Sequence, residues 1–159
     1  MLQIFADVCS PLAVSGRVHL RTVRSERDWS LKLSLHRDVR RGPDGHSVDA
    51  DQWVQMERLK CEAGYMEAYL IHLDDQPCGA VNFSPSARLG RLKNLVVHPH
   101  WRRRGIGVEA AREIIRLASQ RGLAAAGVFA LEHGPSLKLY RDAGYLPVVR
   151  QVEWYRRLQ

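Results

Sequence analysis

Val97-His-Pro-His-Trp-Arg-Arg-Arg-Gly-Ile-Gly107 stands between two segments of different period. Leu92 to Val97 reads as a strand. From Ile106 the spacing turns helical, with Ile106, Ala110, Ile114 and Ala118 as the buried stripe. Glu109, Arg112, Glu113 and Arg116 cover the opposite face, and Gly122 is placed as a C-cap. Gly105 and Gly107 allow a backbone turn to close around a ligand. The amides after them open a helix, where unpaired N–H groups and the dipole favour an anion. Arg102, Arg103 and Arg104 add positive charge, so the stretch suits a pyrophosphate. Gly105-x-Gly107-x-x-Ala110 also fits the dinucleotide fingerprint, but that motif follows its strand at once. Here His98 to Arg104 intervene, and three hairpin-linked strands precede the site.

Those strands are Tyr65 to Leu73, Cys78 to Ser84 and Leu92 to Val97, joined by turns at 74–77 and 85–90. Further upstream, Val18 to Val23 alternates as a first strand. Residues 25–41 carry the helical stripe Leu31, Leu35 and Val39 after the first-turn residues Ser25, Glu26 and Asp28. Gly42 to Ser47 is loop-like. Asp49 with Gln52 resembles a capping box, and Trp53, Met56, Leu59 and Ala63 predict the buried face of a helix over 51–63. Downstream come a buried strand at Leu123 to Leu131, a short helix over 136–143 ending at Gly144, and a last strand region over 146–155. The order predicts a mixed α/β sheet. Residues 1–16 read as an N-terminal extension or an extra strand.

Composition narrows the class. The 159 residues are 45% apolar and 26% charged, with 12 glycines and 7 prolines, which excludes disordered and collagen-like chains. Leu123 to Leu131 is too short to span a bilayer. These values predict one soluble domain over 1–159. The net charge of +7 suggests an anionic partner. Among the basic residues only Lys32, Lys60, Lys93 and Lys138 are lysines. Basic residues are spread along the chain without a basic-aromatic module, which makes nucleic acid an unfavoured partner. Cys9, Cys61 and Cys78 are odd in number and share no CxxC spacing. They argue against a metal site or disulfide framework and for the cytoplasm.

Arg102-x-x-Gly105-x-Gly107, the preceding Val97-His-Pro99 and the later Leu139-Tyr140-Arg-Asp-Ala-Gly144-Tyr145 together resemble the GNAT superfamily of acetyl-CoA-dependent N-acetyltransferases. The first matches its Q/R-x-x-G-x-G/A phosphate loop, the last its Leu-Tyr-x-x-x-Gly-Phe segment. Gly79 resembles the glycine common in its third strand. The likeness covers about residues 17–157. It implies a GNAT fold: a mixed central sheet flanked by helices, with a splayed strand before the phosphate loop.

The resemblance also implies roles. Leu95 and Val97 would pair through their backbone with pantetheine, and residues 102–107 would hold the pyrophosphate. Tyr140 would protonate the departing thiolate. His133 stands where many members carry Asn and would contact the cofactor. The acceptor would be an amine on a small molecule or a protein, attacking acetyl-CoA directly, with no metal and no membrane partner. A homodimer fits the family, and loop 42–50 lies where it builds acceptor sites. No general base carries over, because Arg91 and Leu92 stand where some members place a glutamate. Glu67, His72, Asn82 and Asn94 are the polar strand candidates near the expected cleft, with Cys78 a weaker nucleophile. A catalytically silent acyl-CoA-binding module would keep the same loop without turnover.

Overall fold

The computed structural model describes residues 2–7, 15–39 and 49–151. In chain order these form β1 (Leu2–Asp7), β2 (Val18–Thr22), α1 (Glu26–Val39), α2 (Ala50–Glu62), β3 (Glu67–Leu73), β4 (Gln76–Pro85) and β5 (Leu89–Val97). A 3-10 turn (Pro99–Trp101) leads into α3 (Ile106–Gln120), followed by β6 (Ala125–Ala130), α4 (Ser136–Asp142) and β7 (Leu146–Arg150). Cys9, the loop 42–48 and the tail 152–155 of the expected last strand lie outside the described residues.

One sheet runs β2-β3-β4-β5-β6-β1-β7. All its pairings are antiparallel except β5 with β6. The N-terminal strand is inserted between β6 and β7, Ile4 opposite Val128 and Phe5 opposite Gly127. Period-two burial of Leu2, Ile4 and Ala6 turns that face toward the core. A side chain on Gly127 would meet the Phe5 ring at 2.9 Å, so the missing Cβ leaves the aromatic its place.

Helix α3 covers one face of the sheet. Ile106, Ala110, Ile114 and Ala118 are all buried, as their spacing predicts, and Ala111 and Ile115 widen the stripe. Each isoleucine removed from water contributes roughly 1.5–3 kcal/mol. The alanines let the helix axis approach the strands. Glu113, expected on the solvent face, is buried at 4% exposure and lies against Arg116 Nη2 at 2.6 Å.

The opposite face is covered by α1 and α2. Asp28 anchors the start of α1 by accepting from the Ser25 amide at 3.0 Å and the Arg24 amide at 3.1 Å. Asp49 caps α2 through the Gln52 amide at 2.9 Å. The orientation of α2 overturns the expectation from its apolar pattern. Trp53, Met56 and Leu59 are exposed at 38%, 55% and 59%, and Ala63 is exposed as well. The buried face is instead Ala50, Val54 and Glu57. The cause lies on α1, where Lys32 and His36 are also fully buried and meet the Glu57 carboxylate. An ionic contact between two helices, rather than hydrophobicity, sets the face that α2 turns inward.

Candidate active site

The pairing of β5 with β6 is short. It joins Leu89 to Ala125, Gly90 to Ala126 and Arg91 to Gly127, and then stops. From Leu92 onward β5 keeps β4 on one side and, among the described residues, has no strand on the other. Two features shape this free edge. Gly79 in β4 lies so close that an added Cβ would meet the Val96 carbonyl oxygen at 2.3 Å. Further back, Lys93 faces Asn82 and Val96 faces Ala80, so Asn94 and Leu95 share the space opposite Val81. Asn94 takes a positive φ of 53° there, which marks a bulge. Backbone groups of a bulged pair fall out of the ladder and become free to bind something else.

Past Val97 the chain turns through Pro99–Trp101 to the N-terminus of α3. Arg103 (φ 63°) and Gly105 (φ 77°) are both left-handed, and Gly105 is the cap residue. With glycine there, the cap residue offers no side-chain acceptor to the first amides of α3, and the space beside its Cα is open. Gly107 has a different use. A Cβ there would meet Leu139 Cδ1 at 2.6 Å, so the glycine lets α4 pack against the first turn of α3.

These parts line a groove of about 460 Å³ bounded by Val97, Trp101, Arg103, Gly105, Gly107 and Leu139. Arg102 and Ile106 also line it. Arg102 Nε donates to the Val97 carbonyl at 3.0 Å, tying the loop back to the strand end. The Arg104 guanidinium lies 5.0 Å from the Trp101 ring centroid and is not part of the lining. A groove with uncapped helix amides, two arginines and a half-free strand can take an extended ligand with an anionic end.

The remaining expected residues separate into groups. Tyr140 is 7% exposed on α4, edge-on to Tyr145 at 5.8 Å, and burial pushes its phenol up to about 12. Leu95 packs against the core beside α3. His133 is exposed in the turn before α4 and does not line the groove. Glu67 is not near this cleft. It pairs with Arg121 at 2.5 Å, beyond the C-terminus of α3, about 22 Å of helix away from Gly105. The Arg121 hydrogen bond holds Glu67 below the usual carboxylate range, with the Tyr69 hydroxyl at 2.5 Å adding to it. His72 stacks on His19 at 5.4 Å and lines a separate cavity of about 830 Å³ with Arg21 and Arg24. Cys78 is fully buried and burial pushes its thiol up to about 11, which removes it as a nucleophile.

Asn82 and Asn94 belong to a cluster that the sequence reading missed. Glu57 Oε1 accepts from Asn94 Nδ2 at 2.7 Å and from Trp53 Nε1 at 2.8 Å. Its Oε2 lies 3.1 Å from Lys32 Nζ and 3.9 Å from His36 Nε2. Lys32 Nζ donates in turn to Asn82 Oδ1 at 2.8 Å. Burial would raise the Glu57 carboxyl, but the Lys32 and His36 charges and the donors from Lys32 and Asn94 outweigh it and hold it low. Burial lowers Lys32. A signal was present: Ala50, Val54, Glu57 and Cys61 also have helical spacing, with a carboxylate among apolar neighbours.

The Acetyltransferase (GNAT) family model matches residues 33–145, from α1 to the end of α4 and beyond. The chain belongs to the GNAT acetyltransferase family. Solved structures share the fold. AAC(6')-Iy in complex with a bisubstrate analogue, CoA-S-monomethyl-acetylneamine, superposes with a TM-score of 0.67 at 15% identity, over 89% of this chain and 99% of that one. A predicted acetyltransferase from Clostridium acetobutylicum, solved with acetyl-CoA, gives 0.57 at 15% identity, over 89% and 96%. A GCN5-related N-acetyltransferase from Kribbella flavida gives 0.58 at 17% identity, over 92% of this chain. The chain spans 53% of that protein and 57% of a Staphylococcus epidermidis protein of unknown function with the same fold. No curated protein sequence matches the chain. Within the described residues, no helix of this GNAT protein is long and apolar enough to cross a membrane.

Proposed function

We propose that this GNAT protein transfers an acetyl group from acetyl-CoA to an amine by direct attack. The observation that carries the reading is the opening of β5 away from β6 after Arg91, leading straight to the uncapped N-terminus of α3. The donor supplies an activated acyl thioester. The amides after Gly105, with Arg102 and Arg103, hold its pyrophosphate. The free edge at Leu95 and Val97 pairs with its pantetheine arm. Amides of the bulge at Asn94–Leu95 polarise the acyl carbonyl, a contribution of the oxyanion type. Placing the donor this way leaves the α1/α2 side of the split for the amine.

Tyr140 faces the departing sulfur in this reading. A phenol near 12 stays protonated through the working pH range, which suits a donor. Full proton transfer to a thiolate of about 8.5 is uphill by roughly 3 pKa units. The hydroxyl therefore acts first as a hydrogen-bond donor while the C–S bond breaks. The proton that the acylated nitrogen gives up replaces any that Tyr140 loses, so the net change moves one proton from amine to thiol. Thiol release from acetyl-CoA across a panel of amines, with acetyl-CoA affinity measured alongside, tests the reading. Amine-dependent release supports it. Binding without release from any amine would leave a silent acyl-CoA-binding module, and no binding would refute the site.

A further inference from the structure

The side chains of Lys32, His36, Glu57, Asn82 and Asn94 have no task in the mechanism above, although they converge beneath the bulge. We propose that Glu57 is a positioning residue, holding the β5 bulge through Asn94 so that its backbone amides face the acyl carbonyl. The inference rests on the acetyl-transfer reading.

Three observations support it. A left-handed backbone is unfavourable for an L-residue, least so for asparagine and aspartate, so the conformation of Asn94 gains from a side-chain anchor. The 2.7 Å bond from its carboxamide to a buried carboxylate supplies that hold. Second, the carboxylate is itself immobilised. Trp53, Lys32 and His36 surround it, and its side chain is 4% exposed. Third, the same network grips the neighbouring strand. Lys32 bonds Asn82, the β4 residue opposite Lys93, so both strands are tethered where the bulge begins. With Oε1 accepting two hydrogen bonds, Oε2 ion-paired with Lys32 and the carboxyl held low, Glu57 fits a strut better than a proton acceptor.

The test is a double-mutant cycle between Glu57→Gln and Asn94→Gly. Glycine accepts a positive φ without strain, so Asn94→Gly removes the strut while keeping the backbone conformation available. Glu57→Gln leaves a buried lysine without its anion and carries a risk of misfolding, so Asn94→Gly is the decisive variant. Its kcat should fall by about 10²-fold, the cost of misplacing a catalytic group by an ångström, with acetyl-CoA affinity unchanged. Hydrogen exchange across 89–97 should quicken. The double variant should lose no more kcat than the worse single one, because both cut one path. Unchanged kcat in Asn94→Gly, or effects that multiply, overturns the proposal. A wild-type protein that fails to bind acetyl-CoA refutes the acetyl-transfer reading instead. Unchanged exchange in Asn94→Gly would then overturn the strut as well.

Discussion

Gly79→Ala tests the close approach of β4 to the free strand. The added methyl would sit 2.3 Å from the Val96 carbonyl oxygen and 3.2 Å from Ile71 Cδ1. A carbon and a carbonyl oxygen rest at about 3.3–3.6 Å, so roughly 1 Å must be found. The obstacle is backbone and cannot rotate away. Strands of a ladder are separated by only about 4.8 Å, and an ångström there opens the local hydrogen bonds. The bond from the His98 amide to the Cys78 carbonyl, at 2.9 Å, lies one residue away. Losing one or two such bonds at about 1 kcal/mol each, with overpacking strain of about 1–3 kcal/mol, gives a cost of roughly 2–5 kcal/mol. For a domain of this size that lowers Tm by roughly 4–20 °C. Thermal unfolding followed by circular dichroism reads it. Gly122→Ala is the control, since its φ of 68° carries strain but its surroundings are open. Gly79→Ala should destabilise more than this control and also weaken acetyl-CoA binding. A Gly79→Ala Tm equal to wild type would show that β4 and β5 are not packed as described.

Three further outcomes are expected. Tyr140→Phe should lower kcat by about 10²–10⁴-fold with little change in acetyl-CoA affinity, and an unchanged kcat in steady-state assays would reduce Tyr140 to packing. His133→Asn should leave acetyl-CoA affinity and kcat near wild type, because His133 is exposed and is not among the residues that line the groove; a large loss of either in titration or turnover would restore the family role. The Asp28 carboxyl is held at about 2, chiefly by the Ser25 amide and then by Arg24. A depressed carboxylate stabilises above its unfolded value near 3.9 and loses that effect as pH falls toward 2. The Tm gap between wild type and Asp28→Asn should therefore close between about pH 4 and 2 in thermal melts, and a constant gap would contradict the capping role.

Legibility in the sequence followed the range of the interaction. The α3 stripe repeats within a few residues and was read correctly down to Ala118. The loop from Arg102 to Gly107 was legible because its two glycines stand one residue apart and their backbone demands are local. The same local logic failed for α2. Trp53, Met56 and Leu59 formed the more apolar stripe, yet Glu57 went inside because Lys32 waits there from another helix. The positive φ of Asn94 depends on a register shift against β4, and the slot taken by β1 depends on strands more than a hundred residues away. Neither leaves a periodic trace. Glu67 looked equivalent to Asn94 as a polar strand residue, and only the pairing with Arg121 separates it from the site.

The central claim is that acetyl-CoA occupies the split edge of β5 and the N-terminus of α3. A titration of the isotope-labelled protein with acetyl-CoA, followed by backbone amide resonances, measures it residue by residue. The account predicts saturable shifts at 105–108 and 94–97, absent in Gly105→Asp, where a carboxylate would stand beside the pyrophosphate. Saturable binding that leaves those amides unmoved, or that Gly105→Asp does not weaken, would contradict it.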